Sequence, residues 1–326
     1  MDARYILALE ETPKVGRKSI EKVMSIPLLC DPPNAYDLIE LLEKANEKFG
    51  RVSVPDIQEI KGGLERAKKI WDLSQKHNVQ VISRESPNYP KPLSRIPDPP
   101  ALLHVLGNMD ALNNDCIAIV GTREPTEYGK SFAKRLGALF AEKGYVVVSG
   151  LAEGIDSAAH RGALEAGGLT VAVLAHGLDT VYPSQNKELA EEILKSNGAL
   201  VSEYSWGTKI NRSNFVERDR IQSGLSLGVL VVETGIDGGT MHTVKFCKDQ
   251  ERSLIVLRHP PSFGVNQKVM GNSKLISEKQ ADVIFETDND LEHIKTHLSR
   301  VKKELMTGHS NEKKVNPAGS IQTTLA

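Results

Sequence analysis

Residues 116–151 read CIAIVGTREPTEYGKSFAKRLGALFAEKGYVVVSGL, and this stretch decides the fold class. It contains two apolar, β-rich runs at residues 117–120 and 145–148. The segment between these runs has apolar residues at helical spacing on one face: Phe132, Leu136, Leu139 and Phe140. An unbroken apolar strand, an amphipathic helix and a second apolar strand are typical of a parallel sheet that helices cover on both faces.

The same alternation continues along the chain beyond residue 151. Further apolar runs follow at residues 169–174, 199–201, 228–232, 253–257 and 282–285, and amphipathic segments fill most of the gaps. We therefore predict an α/β fold in which residues 113–300 form a Rossmann-like domain with a doubly wound, mostly parallel sheet. In such a domain, ligands bind beyond the carboxyl ends of the strands.

Residues 1–80 are predicted to form a small helical domain of the SAM-like or helix-hairpin-helix-like kind. Apolar residues recur at helical spacing, as in Ile60, Leu64, Ala67 and Ile70. A turn around Gly16 joins two short segments, and its backbone N–H groups suit a phosphate. The alternative is a helical domain that serves packing alone.

Two segments flank the predicted α/β domain. Residues 81–112 include the run ESPNYPKPLSRIPDPP at 85–100, and prolines at this density cannot sustain a helix or a central strand. We predict a proline-rich connector there, with a short strand at residues 101–105. Residues 301–326 lose apolar periodicity and are predicted to be a disordered tail.

Composition limits the classes of function. The chain has 326 residues, a length that suggests about two domains. Lysine and arginine number 41, aspartate and glutamate 42, and the formal net charge is −1. This balance excludes a uniformly cationic surface for nucleic acid or membrane, but it leaves room for a local basic site.

The cysteines and the termini point to a cytoplasmic protein. Cys30, Cys116 and Cys247 lie far apart, with no CxxC pair and no Cys/His cluster, so we expect neither a zinc site nor a disulfide framework. Cys116 and Cys247 sit in apolar stretches and are predicted to be buried, inert thiols. The chain has no run of about 18 apolar residues and an acidic flank at its start, so we expect no membrane span and no signal peptide.

The end of the first predicted strand of the α/β domain carries Gly121, Thr122 and Arg123 ahead of a helix. Glycine permits close approach of a ligand to the backbone, and a helix start offers unpaired N–H groups. Arg123 adds a bidentate donor for phosphate, so the segment is a candidate anion site. The fingerprint G-x-G-x-x-G is missing, so NAD is not supported. The alternative for Arg123 is a surface salt bridge.

Residues 209–220, KINRSNFVERDR, place four basic residues around the aromatic Phe215. Single-stranded nucleic acid is bound by cations that follow its phosphates and by rings on which bases stack. The alternative is that Arg218 and Arg220 pair with Glu217 and Asp219 on a solvated helix, with Phe215 in the core.

Other strand ends also carry candidate groups. Gly238, Gly239 and Thr240 form a glycine-rich loop before a helix, which suits an anion, although a plain tight turn is the alternative and no Walker A sequence is present. Ser149, Asp156 and His160 resemble a hydrolase set, but Ser149 lacks a G-x-S-x-G context, and an Asp–His pair at i,i+4 is more often structural. His176 either faces the ligand crevice or satisfies local backbone.

Residues 86–257 resemble the DNA-processing protein DprA (Smf) family. The resemblance rests on long, colinear motifs, including IAIVGTREPTEYG at 117–129, VVSGLAEGIDSAAHRGAL at 147–164 and NFVERDRIQSGLSLGVLVVETGIDGGT at 214–240. It implies a Rossmann-like domain behind a small helical domain, binding of single-stranded DNA, a homodimer, a RecA-type recombinase as partner, and a role in recombination or natural transformation. It implies neither enzymatic activity nor a cofactor.

The resemblance also assigns a DNA groove to residues of this sequence. The groove residues would be Gly121, Thr122, Arg123, Lys209, Asn214, Phe215, Arg218, Arg220, Gly238, Gly239 and Thr240. The chain departs from the family pattern where Asp219 replaces an asparagine between the two arginines, and where His242-Thr243 and Arg258-His259-Pro260 replace smaller residues. It is therefore a divergent member, and a carboxylate at 219 weakens anion binding unless it orients the arginines.

A second function belongs to a different class. Nucleotide phosphoribohydrolases share this kind of α/β fold and a glycine loop, so a nucleotide-binding or nucleotide-hydrolysing enzyme is the alternative. Their P-G-G-x-G-T-x-x-E signature is missing here, because Gly238-Gly239-Thr240 is followed by Met241-His242-Thr243-Val244. Glu233 or Asp156 would have to supply the carboxylate.

Overall fold

The computed structural model describes residues 1–27, 34–263 and 266–307, and Cys30 lies outside these ranges. The N-terminal part is helical, as predicted, and its helices are α1 (Ala3–Glu10), α2 (Arg17–Met24), α3 (Ala35–Phe49) and α4 (Ile57–Lys76). Asp2, Asn34 and Asp56 cap the starts of α1, α3 and α4. The helices bury a shared apolar cluster that includes Ile6, Leu38 and Ile60.

In the described residues the remaining chain builds a sheet of nine strands. Its strands are β1 (Val79–Ser83), β2 (Leu102–Gly107), β3 (Cys116–Val120), β4 (Val146–Ser149), β5 (Thr170–Val173), β6 (Ala199–Ser202), β7 (Gly228–Val231), β8 (Ser253–Leu257) and β9 (Val283–Phe285). The order across the sheet is β1-β2-β6-β5-β4-β3-β7-β8-β9. All pairs from β6 to β9 are parallel. Strands β3 to β8 are buried along their whole length, which explains their unbroken apolar sequences.

Helices cover both faces of this sheet. They are α5 (Lys91–Ser94), α6 (Glu127–Glu142), α7 (Ile155–Glu165), α8 (Lys187–Lys195), α9 (Arg212–Leu225), α10 (Thr240–Asp249), α11 (Met270–Ser277) and α12 (Leu291–Thr307). Ile117 and Ile119 of β3 pack in the cluster formed by α6, α7 and α12, while Ala118 between them packs in the cluster of α10 and α11. The predicted doubly wound, Rossmann-like α/β fold is confirmed.

The segment predicted as a connector contributes to the sheet. β2 pairs antiparallel with β6, with His104 opposite Ser202, and β1 pairs antiparallel with β2. The predicted boundary at residues 80/81 therefore falls inside β1. Edge strand β1 alternates buried and exposed residues over only five positions, which is a weak sequence signal beside a dense run of prolines.

The predicted tail begins inside a helix. α12 runs to Thr307, and Leu298 and Val301 on it are buried against the sheet, so residues 301–307 are helical rather than disordered. Residues 308–326 lie outside the described ranges. Cys116 and Cys247 are buried as predicted, and burial raises the pKa of Cys116 to about 12. In the part of the chain that the structure describes, no helix is long and apolar enough to cross a membrane.

The order of strands reverses at β3. From β3 the chain proceeds outward through β4 and β5 to β6, and α9 then returns it to β7 on the other side of β3. The loops after β3 and β7 therefore diverge to opposite faces of the sheet. This divergence opens a crevice at the carboxyl ends of the two strands, which is where ligands bind in open α/β sheets.

Candidate nucleic-acid interface

A cleft of about 460 Å³ lies beyond the carboxyl ends of β3 and β7. Predicted site residues from three separate segments line it: Gly121, Thr122, Arg123, Phe215, Arg218, Gly238, Gly239 and Thr240. The fold thus brings together turns that lie more than a hundred residues apart in the sequence. The lining includes glycines and threonines as well as charged residues such as Arg123, Arg218 and Lys268.

The turn that carries Arg123 is fixed to the end of β7 through Glu233. The Thr122 N–H donates to the Glu233 carbonyl oxygen at 2.8 Å, and the Thr126 N–H donates to the Glu233 carboxylate at 2.8 Å. Burial raises the pKa of Glu233, but the nearby His259, whose Nε2 lies 3.4 Å from Glu233 Oε1, and the hydrogen bonds from Thr126 outweigh this effect and hold that pKa below its ordinary value. A charged, fully buried Glu233 therefore anchors both ends of this turn.

Arg123 and Phe215 meet at the rim of the cleft. The exposed Arg123 guanidinium lies over the Phe215 ring, with its Cζ atom 5.0 Å from the ring centroid. This distance is within the range of a cation–π contact. The two residues come from the turn after β3 and from the first turns of α9, so they connect two of the predicted segments.

Arg218 reaches the cleft from a buried position. Its side chain is 5% exposed, its Nη1 atom donates to the Val173 carbonyl oxygen at 2.7 Å, and its Nε atom lies 3.3 Å from Asp219 Oδ1. A Cβ atom at Gly150 would lie only 1.7 Å from Nη1, so a residue without a side chain is needed there. The Asp156 carboxylate accepts from the Gly150 N–H at 3.0 Å beside the same guanidinium.

The two carboxylates beside Arg218 have perturbed pKa values. Burial raises the pKa of Asp219 to about 6, and the Arg218 charge opposes this rise. Burial likewise raises the pKa of Asp156 above its ordinary value, again opposed by Arg218. Because two acidic groups share one guanidinium, Arg218 adds less positive potential to the cleft than an unpaired arginine would.

Arg220 lies away from the cleft. It is 1% exposed, it forms an ion pair with Glu203, and its Nε atom lies 3.6 Å from Asp98 and 3.7 Å from Glu217. The predicted groove role for Arg220 therefore has no support in its geometry. Ion pairing was the alternative, and it holds here, although Arg220 faces the protein interior rather than solvent.

Lys209 and Asn214 are outside the lining of the cleft. Lys209 is exposed in the loop before α9, and Arg212 is exposed at the first position of that helix. Asn214 is half-buried in the first turn of α9. Lys209 and Arg212 thus precede Phe215 closely in the sequence.

The structure adds lining residues that the sequence analysis did not assign to the site. Lys268 follows β8 and His242 lies in the first turn of α10, and both line the cleft. Lys268 comes after β8 in a segment without a glycine motif, so its place in the cleft depends on the pairing of β8 with β7. Asp156, Asp219, Gln222 and Thr243 also contribute.

The hydrolase set does not assemble. The Ser149 hydroxyl donates to the Ile119 carbonyl oxygen at 2.7 Å, whereas His160 Nδ1 lies 2.6 Å from the Thr170 hydroxyl. Ser149 lies beside Asp156, but His160 is engaged with Thr170 instead of with either of them. His176 is 1% exposed, and its Nδ1 lies 2.9 Å from the Gly177 carbonyl oxygen, so it satisfies local backbone.

A comparison with known protein families identifies the family to which this fold belongs. Residues 80–295 match the family described as DNA recombination-mediator protein A. The chain belongs to the DNA recombination-mediator protein A family. This finding confirms the resemblance to DprA and Smf proteins, and the matched range contains every element that lines the cleft.

Two relatives in this mediator family are a little over a third identical to the chain over the aligned residues. Protein Smf from Synechocystis sp. is 37% identical over 267 residues, which is 78% of this chain and 65% of that protein. Protein Smf from Escherichia coli is 38% identical over 207 residues, which is 62% of this chain and 55% of that protein. The chain thus spans less than two thirds of the length of these two relatives.

Solved structures of mediator proteins have the same architecture. DNA processing protein A from Streptococcus pneumoniae superposes with a TM-score of 0.68 at 29% identity, over 90% of this chain and 98% of that one. DNA processing protein A from Helicobacter pylori, described for its single-stranded DNA binding mode, gives a TM-score of 0.58 at 28% identity, over 69% and 96%.

Proposed function

We propose that this protein binds single-stranded DNA along the cleft and its aromatic rim, and that it assists recombination without catalysing a reaction. The observation that carries the proposal is the contact between the exposed Arg123 and Phe215 at the mouth of the cleft. A cation for phosphate and a ring for a base are the two components that sequence-tolerant single-strand binding requires. The DNA-binding mode described for the H. pylori relative supports it.

The charges around the cleft set how strongly this binding depends on salt. Arg123 and Lys268 line the cleft, and Lys209 and Arg212 are exposed on the segment that leads to Phe215. Arg218 is offset by its carboxylate neighbours. Because few of the described cations near the cleft are free to meet phosphates, the salt dependence should correspond to a small number of contacts. Each phosphate contact should add roughly 0.7 to the downward slope of the logarithm of the binding constant against the logarithm of the salt concentration.

Nucleotide hydrolysis finds little support in the same geometry. Glu233 is fully buried and accepts hydrogen bonds that hold the turn after β3. Asp156 is buried and is engaged by the Gly150 N–H and Arg218. Both candidate carboxylates maintain the walls of the cleft, which favours binding over turnover.

The family membership supports finer proposals about partners. We propose that the protein acts as a homodimer in the cytoplasm and delivers single-stranded DNA to a RecA-type recombinase. Sedimentation of the pure protein tests the dimer, and co-purification with the recombinase from the same source tests the partnership. Natural transformation is one pathway that such a delivery step would serve.

The central experiment is a titration of fluorescently labelled oligo(dT) with the full chain at several salt concentrations, with duplex DNA as competitor. We expect single strands to bind more tightly than duplex, and Arg123→Ala to weaken binding and to reduce the salt slope. Arg300→Ala is the matched control, because Arg300 is exposed on α12 and lines a recess at the amino ends of β8 and β9. Undetectable binding at low salt, or equal affinity of Arg123→Ala and the wild type, contradicts the proposal.

A parallel incubation with nucleoside monophosphates tests the alternative. Chromatography would detect a free base if the cleft hydrolyses nucleotides. We expect no release above the rate of a protein-free control.

A further inference from the structure

A second aromatic residue lies beside the Arg123–Phe215 contact. Tyr182, in the loop between β5 and α8, places its ring centroid 5.8 Å from that of Phe215, with the ring planes inclined by 55°. Its side chain is 42% exposed, whereas Phe215 is half-buried and carries the Arg123 guanidinium over its ring. Of these two rings, Tyr182 therefore presents the more accessible surface.

Resting on the proposed function, we infer that Tyr182 is a stacking surface for a base of single-stranded DNA, with Phe215 behind it. A base gains free energy by covering an aromatic face that water otherwise contacts. The face of Phe215 beneath Arg123 is already in a cation–π contact, so a base there would have to displace the guanidinium. The ring of Tyr182 needs no such displacement.

The surroundings of Tyr182 suit a base better than a phosphate. A small recess of about 60 Å³ beside the cleft is lined by Arg123, Glu153, Tyr182, Pro183 and Phe215, together with Gly150 and Ala152. The exposed carboxylate of Glu153 repels a phosphate from this recess. Arg123 borders both the recess and the cleft. A phosphate held by Arg123 would thus leave the neighbouring base next to Tyr182.

The test compares Tyr182→Ala and Tyr182→Phe with the wild type, using labelled oligo(dT) over a range of salt. We expect Tyr182→Ala to weaken binding by about 5- to 150-fold, the range that corresponds to loss of one stacked base. Tyr182→Phe should retain affinity within about twofold, because the ring and not the hydroxyl makes the contact. The salt slope should stay unchanged in Tyr182→Ala, because no charge is removed.

Tyr36→Ala is the matched control, since Tyr36 is 72% exposed on α3 of the helical part. A second readout separates stacking from an indirect structural effect. An oligonucleotide with 2-aminopurine is quenched when that base stacks on a ring, and we expect quenching by the wild type and Tyr182→Phe but not by Tyr182→Ala.

The outcomes separate this inference from the function on which it rests. If the wild type binds and Arg123→Ala binds weakly, while Tyr182→Ala matches the wild type in affinity and quenching, the role of Tyr182 is wrong and the proposed function stands. If the wild type binds no single-stranded DNA at low salt, both are overturned.

Discussion

Arg218 and Asp219 form an ion pair inside the wall of the cleft, with 3.3 Å between the guanidinium Nε and a carboxylate oxygen, and with side chains only 5% and 15% exposed. The pair explains how a carboxylate is tolerated next to the proposed DNA-binding cleft. Asp219 balances a buried guanidinium that also lies beside Asp156. The same arrangement assigns Arg218 to the architecture of the cleft, and Arg123 and Lys268 are the other lysine or arginine residues among the described residues that line it.

Arg218→Ala is expected to destabilise the fold, because it leaves two buried carboxylates without their cation. Loss of one partner of a buried ion pair costs about 3–5 kcal/mol. The exposed Arg123→Ala should change the free energy of unfolding by less than about 0.5 kcal/mol. Urea unfolding followed by circular dichroism measures both, and comparable stability of the two variants would contradict the structural role of Arg218.

Asp219 should make DNA binding sensitive to pH. Its pKa is raised from 3.8 to about 6, so the carboxyl is charged at pH 7.5 and becomes neutral as the pH falls below about 6. The groups that face it are Arg218, Asp156, Thr243 and Arg123. Neutralisation makes the cleft more positive, so single-stranded DNA should bind more tightly at pH 5 than at pH 7.5.

Asp219→Asn tests this expectation. At pH 7.5 the variant should bind single-stranded DNA about 5-fold more tightly, equivalent to roughly 1 kcal/mol for removal of one nearby charge. It should also lose most of the pH dependence between 5 and 7.5. Because His242 also lines the cleft, both proteins are measured in a His242→Gln background. If Asp219→Asn keeps the pH dependence of DNA affinity seen without that change, Asp219 is not the cause of this dependence.

Arg220 should matter for the junction between the helical part and the sheet domain. Arg17 on α2 lies 2.8 Å from Asp98 and 3.8 Å from Glu203, and Arg220 pairs with the same two carboxylates. Burial raises the pKa of Glu203, and Arg220 opposes this rise. Arg220→Ala should therefore cost about 3–5 kcal/mol.

Arg17→Ala is the comparison for Arg220→Ala, because its side chain is 37% exposed and its loss should cost no more than about 1 kcal/mol. Urea unfolding gives both values. The salt slope of DNA binding, measured on the folded fraction, should be the same in Arg220→Ala and the wild type. A smaller salt slope in Arg220→Ala would show that Arg220 contacts a DNA phosphate after all.

The contrast between Arg218 and Arg220 shows how far sequence reasoning reaches. Periodicity predicts the parallel sheet, and strand ends predict the turns at Arg123 and Gly238, because both follow from local pattern and topology. Two residues that are two positions apart on a helix do not share a face, so the side chains of Arg218 and Arg220 leave α9 in different directions. The local sequence offers Asp219 and Glu217 as partners, and they lie near Arg218 and Arg220 respectively. The burial of Arg220 also depends on Glu203 and Asp98, which come from distant segments that no local pattern reveals.

Lys268 and Tyr182 were missed for a related reason. Lys268 stands in a loop without a glycine motif, and its place beside the cleft depends on β8 pairing with β7. Tyr182 was visible in the sequence, but its distance from Phe215 is set by the packing of the loop after β5 against α9. Spatial neighbours from different segments need the tertiary structure.

Gly129→Ala should damage the turn that carries Arg123. A Cβ atom at Gly129 would lie 2.2 Å from the Glu233 carboxyl carbon, so the carboxylate would have to move away from the Thr126 N–H that it accepts. We expect a loss of about 1–3 kcal/mol of stability, typical of overpacking a buried site, together with weaker DNA binding. Gly239→Ala is the stability control, because Gly239 has helical φ and ψ of −54° and −31° and open space around its Cβ position. Thermal unfolding of the two variants tests the difference. Equal melting temperatures would show that the hydrogen bonds between Glu233 and the turn do not stabilise it.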